Sequence, residues 1–253
     1  MVDIYIGLLL GAVEGFTEFI PVSSTAHLLL ASKILGLDPQ IATVNSIVVQ
    51  ASSVLGLAIY FSREFLSKSR SVMLNKTFFK YSLLCAGIFS VTALLLENVV
   101  KTYFFSTKGI VLGLLIGSLL IFLSLVSKLG SEPLTLKRCL AISVIQTLAL
   151  IPGVSRSGAV ISAGILAGLS LRDAVRFSFF QALILLTLAA GYETVKSFEI
   201  VVSHLNLVFS AFVAGVVSSV LAIRILDKLD SRRVFVYFLI YRVCLGIVIL
   251  LNV

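Results

Sequence analysis

EGFTEFIPVSSTAH, residues 14–27, interrupts an apolar region that extends from residue 2 to residue 35. A second polar segment, PGVSRSG at residues 152–158, interrupts the apolar region 136–169 in the same way. A helix needs about 20 apolar residues to cross a bilayer core, so each half of these regions is predicted to be too short to cross alone. Non-helical backbone survives at membrane depth only when it is buried in protein or lines a wet cavity. Both regions are therefore predicted to form re-entrant helix-loop-helix hairpins.

The rest of the 253-residue chain is dominated by uncharged apolar runs. Hydrophobic residues make up 59% of the sequence and charged residues 13%, and the mean hydropathy is +1.13. Because a soluble domain carries about 25% charged residues, we predict a single all-α polytopic membrane domain over residues 1–253. The six predicted transmembrane helices are 40–61, 80–97, 108–128, 174–192, 205–226 and 234–252.

The net charge of +8 does not indicate a nucleic-acid partner. The Lys and Arg residues lie between apolar runs, where they orient a membrane protein and contact anionic lipid headgroups. The 62–80 loop is basic and is predicted to be cytoplasmic, which also places 128–138 and 227–233 inside and 193–204 outside. Both termini are then predicted to lie outside the cell membrane. The three scattered cysteines show neither metal-ligand spacing nor a disulfide framework.

The two interrupted regions resemble each other at a separation of 132 residues, where Glu14 aligns with Gln146. The identical pairs are Val22 and Val154, Ser23 and Ser155, Ala31 and Ala163, Gly36 and Gly168, and Leu37 and Leu169. The first region enters from outside and the second from inside. This pattern predicts an inverted-topology repeat, with halves approximately 1–127 and 128–253, whose broken helices meet near the midplane and form the binding site.

Glu14 and Glu18, the acidic pair, are four residues apart and share one face of a helix. Each carboxylate costs about 2.5–3.5 kcal/mol at membrane depth, so the pair requires something positive nearby. A divalent cation, Mg²⁺ or Ca²⁺, is the simplest candidate because the ligands would all be oxygens. The alternative is a polar interfacial helix whose glutamates face lipid headgroups.

Hydroxyl residues follow the acidic pair. Pro21 ends the first helix, and Ser23, Ser24 and Thr25 precede the second. Hydroxyls favour helix N-caps, and a helix N-terminus attracts anions. His27 is predicted to act as a general base or as a nucleophile in phosphoryl transfer, with a purely structural role as the alternative.

The second polar segment places an arginine among small and hydroxyl residues. Arg156 keeps its charge and offers a planar fork of donors suited to phosphate oxygens. The alternative is that it only pairs with the acidic pair and holds the hairpins together. Arg242, inside the last span, is predicted to be structural, with backbone or carboxylate as its partner. The residues predicted to bind substrate phosphate are Ser23, Thr25, Gly153, Ser155, Arg156 and Ser157.

Both polar segments closely resemble the signature motifs of the undecaprenyl-diphosphatase family, the bacitracin-resistance proteins. Gln146-Thr-Leu-Ala-Leu before the second segment and Tyr241-Arg242 in the last span also resemble that family. The resemblance implies an integral membrane hydrolase that converts undecaprenyl or another polyprenyl diphosphate to the monophosphate plus phosphate. Such an enzyme recycles the lipid carrier for cell-envelope glycan synthesis and depends on a divalent cation.

The resemblance also implies residue roles. Glu14 and Glu18 match the acidic pair of the family, Ser24 the nucleophilic or phosphate-positioning serine, His27 the essential histidine and Arg156 the phosphate-binding arginine. Catalysis is thus expected to involve Glu18, Ser24, His27 and Arg156, and metal binding to involve Glu14 and Glu18.

The rival hypothesis is a polyprenyl-phosphate transporter or flippase, because inverted repeats with broken helices are transporter architecture. In that case the acidic pair binds a coupling ion and Arg156 binds the substrate phosphate. The residues leave open whether Ser24, His27 or a water activated by His27 attacks the phosphorus. They also leave open the exact polyprenyl chain, the side of the membrane served and the oligomeric state, a homodimer included.

Overall fold

The computed structural model describes residues 2–37, 39–66, 76–128, 130–196, 198–229 and 231–252, and these form helices joined by turns. The helices are α1 (Val2–Phe19), α2 (Ser24–Ile34), α3 (Pro39–Leu66), α4 (Lys76–Phe104), α5 (Thr107–Val126), α6 (Leu136–Gln146), α7 (Arg156–Leu166), α8 (Leu171–Lys196), α9 (Phe198–Ser203), α10 (Leu205–Asp227) and α11 (Val234–Asn252). A 3₁₀ turn, Thr147–Leu150, continues α6. The prediction of an all-helical chain is confirmed for the described residues.

Five of the described helices are long and apolar enough to cross a membrane: α4, α5, α8, α10 and residues Val234–Leu251 of α11. They confirm the prediction of a multi-pass membrane protein. The predicted span 40–61 falls within α3, where the side chains of 39–47 and 49 lie outside the described residues. Residues 67–75 of the basic 62–80 loop also lie outside them.

The two interrupted regions each form a helix, a turn and a second helix. Helices α2, α6 and α7 have 11 residues each, which corresponds to about 16 Å and is too short to cross. Helix α1 differs, because its 18 residues correspond to about 27 Å. It is nevertheless not among the described helices that are long and apolar enough to cross a membrane. Glutamate is a good helix former, so Glu14 and Glu18 continue the helix until Pro21 ends it.

Left-handed backbone marks both turns. Ser23 has φ 75° and Ser155 has φ 72°, and they are the only non-glycine residues of the described chain with positive φ. Gly36 and Gly168, which follow the second helix of each hairpin, also have positive φ, at 61° and 94°. A non-glycine residue in this region costs about 1–3 kcal/mol and persists only when its surroundings enforce it. Both serines therefore depend on contacts from the rest of the fold.

Helix α1 packs along α10 through a stripe of glycines at every fourth position: Gly7, Gly11 and Gly15. A Cβ atom at Gly11 would collide with the backbone of α10, so the missing side chain is what permits the close approach. Ser218 donates to the Gly11 carbonyl and Ser219 to the Gly15 carbonyl, both at 3.3 Å. Small residues that allow such an approach, with hydroxyls that bond across it, are typical of helix pairs in membranes.

Each hairpin packs on a helix from the other half of the chain. The first hairpin packs on α10 through α1, and the second packs on α4 through α6. Helix α5 approaches the second turn at Gly113, where a side chain would collide with the Pro152 carbonyl. At the end of α1, Phe19 packs edge-on against Phe179 of α8 with ring centroids 6.0 Å apart. These contacts bring the two turns together inside the helical body.

Candidate active site

A cavity of about 110 Å³ lies between the two turns. The residues that line it are Glu18, Ser23, Ser24, Thr25, Ala149, Ile151, Pro152, Gly153, Ser155 and Arg156. Most of the residues predicted to bind or cleave a phosphate group are therefore brought together. Three predicted residues, Glu14, His27 and Ser157, are not among those that line it.

Glu18 connects a hydroxyl from its own hairpin to the arginine of the other. Ser24 Oγ donates to Glu18 Oε2 at 2.8 Å, and Arg156 Nη2 donates to Glu18 Oε1 at 3.0 Å. Arg156 Nη1 also donates to the Ser178 carbonyl of α8 at 3.1 Å. The side chains of Arg156 and Glu18 are only 11% and 14% exposed. The ion pair with Glu18, which was the alternative role considered for Arg156, is thus present, and it forms part of the cavity wall.

The hydroxyls of Ser23 and Ser155 cap the helices that begin at the cavity. Ser23 Oγ accepts from the Ala26 N–H at 3.4 Å, and Ser155 Oγ accepts from the Gly158 N–H at 3.2 Å. Ser157 is buried, and its hydroxyl donates to the Ile20 carbonyl at 3.3 Å. Ser157 therefore joins α7 to the first turn instead of lining the cavity. The N-termini of α2 and α7 both contribute partial positive charge to the cavity.

Arg242 of α11 is fully buried and holds both turns. Its Nη1 donates to the Pro21 carbonyl at 3.2 Å. Its Nη2 donates to the carbonyls of Gly153 at 2.9 Å and Val154 at 3.1 Å. The prediction of a structural arginine with backbone partners is confirmed. The sequence did not indicate that a single guanidinium would join the two turns.

His27 lies beside the first turn, where both ring nitrogens have partners. Nδ1 is 2.7 Å from the Ser23 carbonyl oxygen, and Nε2 is 2.6 Å from the hydroxyl of Tyr241 in α11. Sequence reasoning missed this use of Tyr241. The only available signal was that Tyr241 precedes Arg242 in a family motif, since the contact joins residues 214 positions apart.

Glu14 is 4% exposed, and its Oε2 has no hydrogen-bond partner within the part of the chain that the structure describes. No group of three or more His, Cys, Asp or Glu residues that could hold a metal occurs in that part. Mg²⁺ is usually bound by one or two carboxylates together with substrate phosphates. The Oε2 of Glu14, unpartnered among the described residues, is compatible with a role as a cation ligand.

Comparison with known proteins agrees with the geometry. Residues 7–248 match the family described as bacitracin resistance protein BacA. The chain is 33% identical to undecaprenyl-diphosphatase 1 of Bacillus thuringiensis, over 98% of this chain and 97% of that protein. It is 36% identical to the undecaprenyl-diphosphatase of Nitrosospira multiformis, over 97% and 93% of the two chains. For the undecaprenyl-diphosphatase of Neisseria gonorrhoeae the identity is 31%, over 96% and 93%. The protein therefore belongs to the BacA family of bacitracin resistance proteins.

Proposed function

We propose that this chain is a membrane phosphatase that hydrolyses undecaprenyl diphosphate to the monophosphate and phosphate. The observation that carries the proposal is the hydrogen-bonded series Ser24–Glu18–Arg156 in the wall of a cavity within an apolar helical body. Relatives that cover nearly the whole chain bear the name of this activity. The reaction recycles the lipid carrier for cell-envelope glycan synthesis at the cell membrane.

Ser24 is the nucleophile that the geometry favours. A nucleophile bonded to a base, with the base oriented by a third group, is the arrangement that covalent catalysis requires. Ser24 Oγ attacks the terminal phosphorus, its proton passes to Glu18, and the bond to the bridging oxygen breaks to release the lipid monophosphate. Water then attacks the phosphoserine and the P–Oγ bond breaks. Glu18 returns its proton to Ser24 Oγ, and inorganic phosphate is released.

Positive groups stabilise the charge of the diphosphate. Arg156 lines the cavity, and the N-termini of α2 and α7 begin at it. Glu14 and Glu18 would hold a divalent cation, Mg²⁺ or Ca²⁺, which would neutralise phosphate charge when bound. The phosphate oxygens are positioned by the cavity hydroxyls of Ser23, Thr25 and Ser155 and by the backbone at Gly153. Ser157 instead supports the first turn through its hydrogen bond to the Ile20 carbonyl.

The proposal includes an inverted repeat of six transmembrane helices and two re-entrant hairpins, with halves near 1–127 and 128–253. The matched left-handed residues Ser23 and Ser155 support it, as does the exchange of packing partners between the halves. Placing the basic 62–80 loop in the cytoplasm puts both termini outside.

Transport of the lipid phosphate is the second candidate, and the names of the relatives favour hydrolysis over it. The two activities differ in their products, because a transporter leaves the diphosphate intact. Purified protein reconstituted in vesicles with undecaprenyl diphosphate is expected to release phosphate.

The residue roles are tested by phosphate release from undecaprenyl diphosphate in detergent micelles with Mg²⁺. Ser24→Ala, Glu18→Gln and Arg156→Ala are each expected to lower kcat by about 10²-fold or more. Glu97→Gln is the matched control, since Glu97 forms an exposed pair with Lys101 within α4 and should leave the rate unchanged. Undiminished release by Ser24→Ala would exclude Ser24 as the nucleophile, and an inactive wild-type protein would refute the proposed function.

A further inference from the structure

We propose that Tyr241 is a positioning residue for the reaction. Its hydroxyl fixes the imidazole of His27, and His27 in turn fixes the Ser23 carbonyl in the turn that presents Ser23 and Ser24 to the cavity. The catalytic part of this role rests on the proposed phosphatase function. The contacts themselves do not.

The partners of His27 determine where its proton lies. A carbonyl oxygen can only accept, so the 2.7 Å contact with Ser23 requires that Nδ1 carries the hydrogen and donates it. A neutral imidazole has one N–H, and Nε2 therefore presents a lone pair to the Tyr241 hydroxyl 2.6 Å away. Tyr241 donates this hydrogen bond. The tautomer and the orientation of the ring are both set by these two partners.

The series Tyr241–His27–Ser23 ends on a strained residue. Ser23 is left-handed at φ 75°, and its carbonyl accepts from both the backbone N–H and the Nδ1–H of His27. The next residue of α11, Arg242, donates to the Pro21 carbonyl of the same turn at 3.2 Å. Two consecutive residues of α11 thus support the turn that carries the proposed nucleophile, Arg242 directly and Tyr241 through His27.

Among the described residues, no histidine and tyrosine support the second turn in this way. The position 132 residues after His27 is Ala159, which is fully buried and has no polar side chain. Arg242 holds the second turn alone from α11, through Gly153 and Val154. The additional histidine and tyrosine are therefore found only at the turn from which attack on phosphorus is proposed. This placement also accounts for a histidine that matches the family motif and yet does not line the cavity: it acts through Ser23 and not as the general base.

Nitrogen-15 NMR of histidine-labelled protein in detergent tests the contact directly. The chain has two histidines, His27 and His204, so a His204→Gln variant assigns both. We expect neutral His27 with a protonated Nδ1 and with an Nε2 that accepts a hydrogen bond. In Tyr241→Phe the Nε2 resonance should move toward that of an unbonded imidazole nitrogen, while the His204 resonances stay in place.

Enzyme kinetics test the positioning role. Tyr241→Phe keeps the aromatic ring, which lies nearly parallel to His27 at 9°. It should lower kcat about 5-fold, as the loss of one hydrogen bond predicts, without changing KM. Tyr237→Phe, one turn earlier on α11 and exposed, is the matched control and should retain wild-type kinetics.

A pair of His27 variants separates positioning from base catalysis. Asparagine places an amide N–H where Nδ1–H lies but cannot accept a proton as a base. His27→Asn is therefore expected to be roughly 5- to 10-fold more active than His27→Ala, whereas loss of a general base would lower both variants equally, by about 10²-fold or more.

An Nε2 resonance that does not move in Tyr241→Phe would overturn the contact. A moved resonance with unchanged kcat, or equal rates for the two His27 variants, would overturn the positioning role. A wild-type protein without phosphatase activity but with the expected resonances would instead refute the proposed function and leave the contact standing.

Discussion

Arg242→Lys tests whether a single guanidinium is needed to hold the two turns together. The guanidinium uses its two terminal nitrogens for different turns: Nη1 for Pro21, and Nη2 for Gly153 and Val154. A lysine ammonium keeps the charge but concentrates its donors on one atom. It is therefore expected to reach one turn and release the other.

The magnitude follows from the released carbonyls. Lysine leaves at least the Pro21 carbonyl, or else the Gly153 and Val154 carbonyls, without their buried donor. A buried polar group without a partner costs about 1–3 kcal/mol, so we expect a loss of about 2 kcal/mol. For a chain of this size each kcal/mol corresponds to about 2–4 °C. The unfolding temperature should thus fall by about 4–8 °C.

Thermal unfolding in detergent at a fixed scan rate measures this change, together with phosphate release. Arg232→Lys is the matched control. Arg232 donates to the Ser124 and Ser127 carbonyls near the end of α5 and is only partly buried, so water can replace its hydrogen bonds. Its unfolding temperature should change by no more than about 2 °C. If the unfolding temperature of Arg242→Lys falls no further than that of the control and the variant keeps its activity, the two turns do not depend on the guanidinium fork.

Other perturbations address the helix interface, the left-handed turns and the cation. Gly11→Val inserts a side chain into the backbone of α10 and should cost about 1–3 kcal/mol as overpacking. Gly87→Val is the control, because no atom outside its own helix turn lies within 4 Å of an added Cβ, and it should cost less stability. If both variants lower the unfolding temperature equally, α1 does not pack closely on α10 at Gly11. Ser155→Ala loses the helix cap and keeps a side chain at φ 72°, so it should be less stable than Ser155→Gly, because glycine adopts this φ without strain. A higher unfolding temperature for Ser155→Ala would show that the turn is not strained. EDTA should abolish phosphate release and Mg²⁺ should restore it, and release that persists in EDTA would remove the cation from the proposal.

The sequence predicted the features of the site that depend on local residue order. Pro21 and Pro152 located the two breaks, and the hydroxyls that follow them are the caps at Ser23 and Ser155. The pairing of Arg156 with one of the two glutamates, considered as its alternative role, is present at Glu18. These inferences need only chemistry and spacing.

Other features depend on contacts between distant parts of the chain. The pair His27 and Tyr241 could not be predicted from either local segment, because the contact joins residues 214 positions apart. The glycine stripe of α1 was visible in the sequence, but its partner on α10 was not.

The packing of α1 on α10 ties the assembly of the site to the order of synthesis. Gly11 and its partner Ser218 are 207 residues apart, and a chain is made from its N-terminus. Until α10 is made, the glycine face of α1 lacks the helix on which it packs. Until Arg156 is made, the Glu18 carboxylate lacks the guanidinium that pairs with it. The residues of α11 that hold the first turn are made later still. A chain interrupted before α10 would therefore lack both the helix that packs on the glycine face of α1 and the arginine of α11 that joins the two turns.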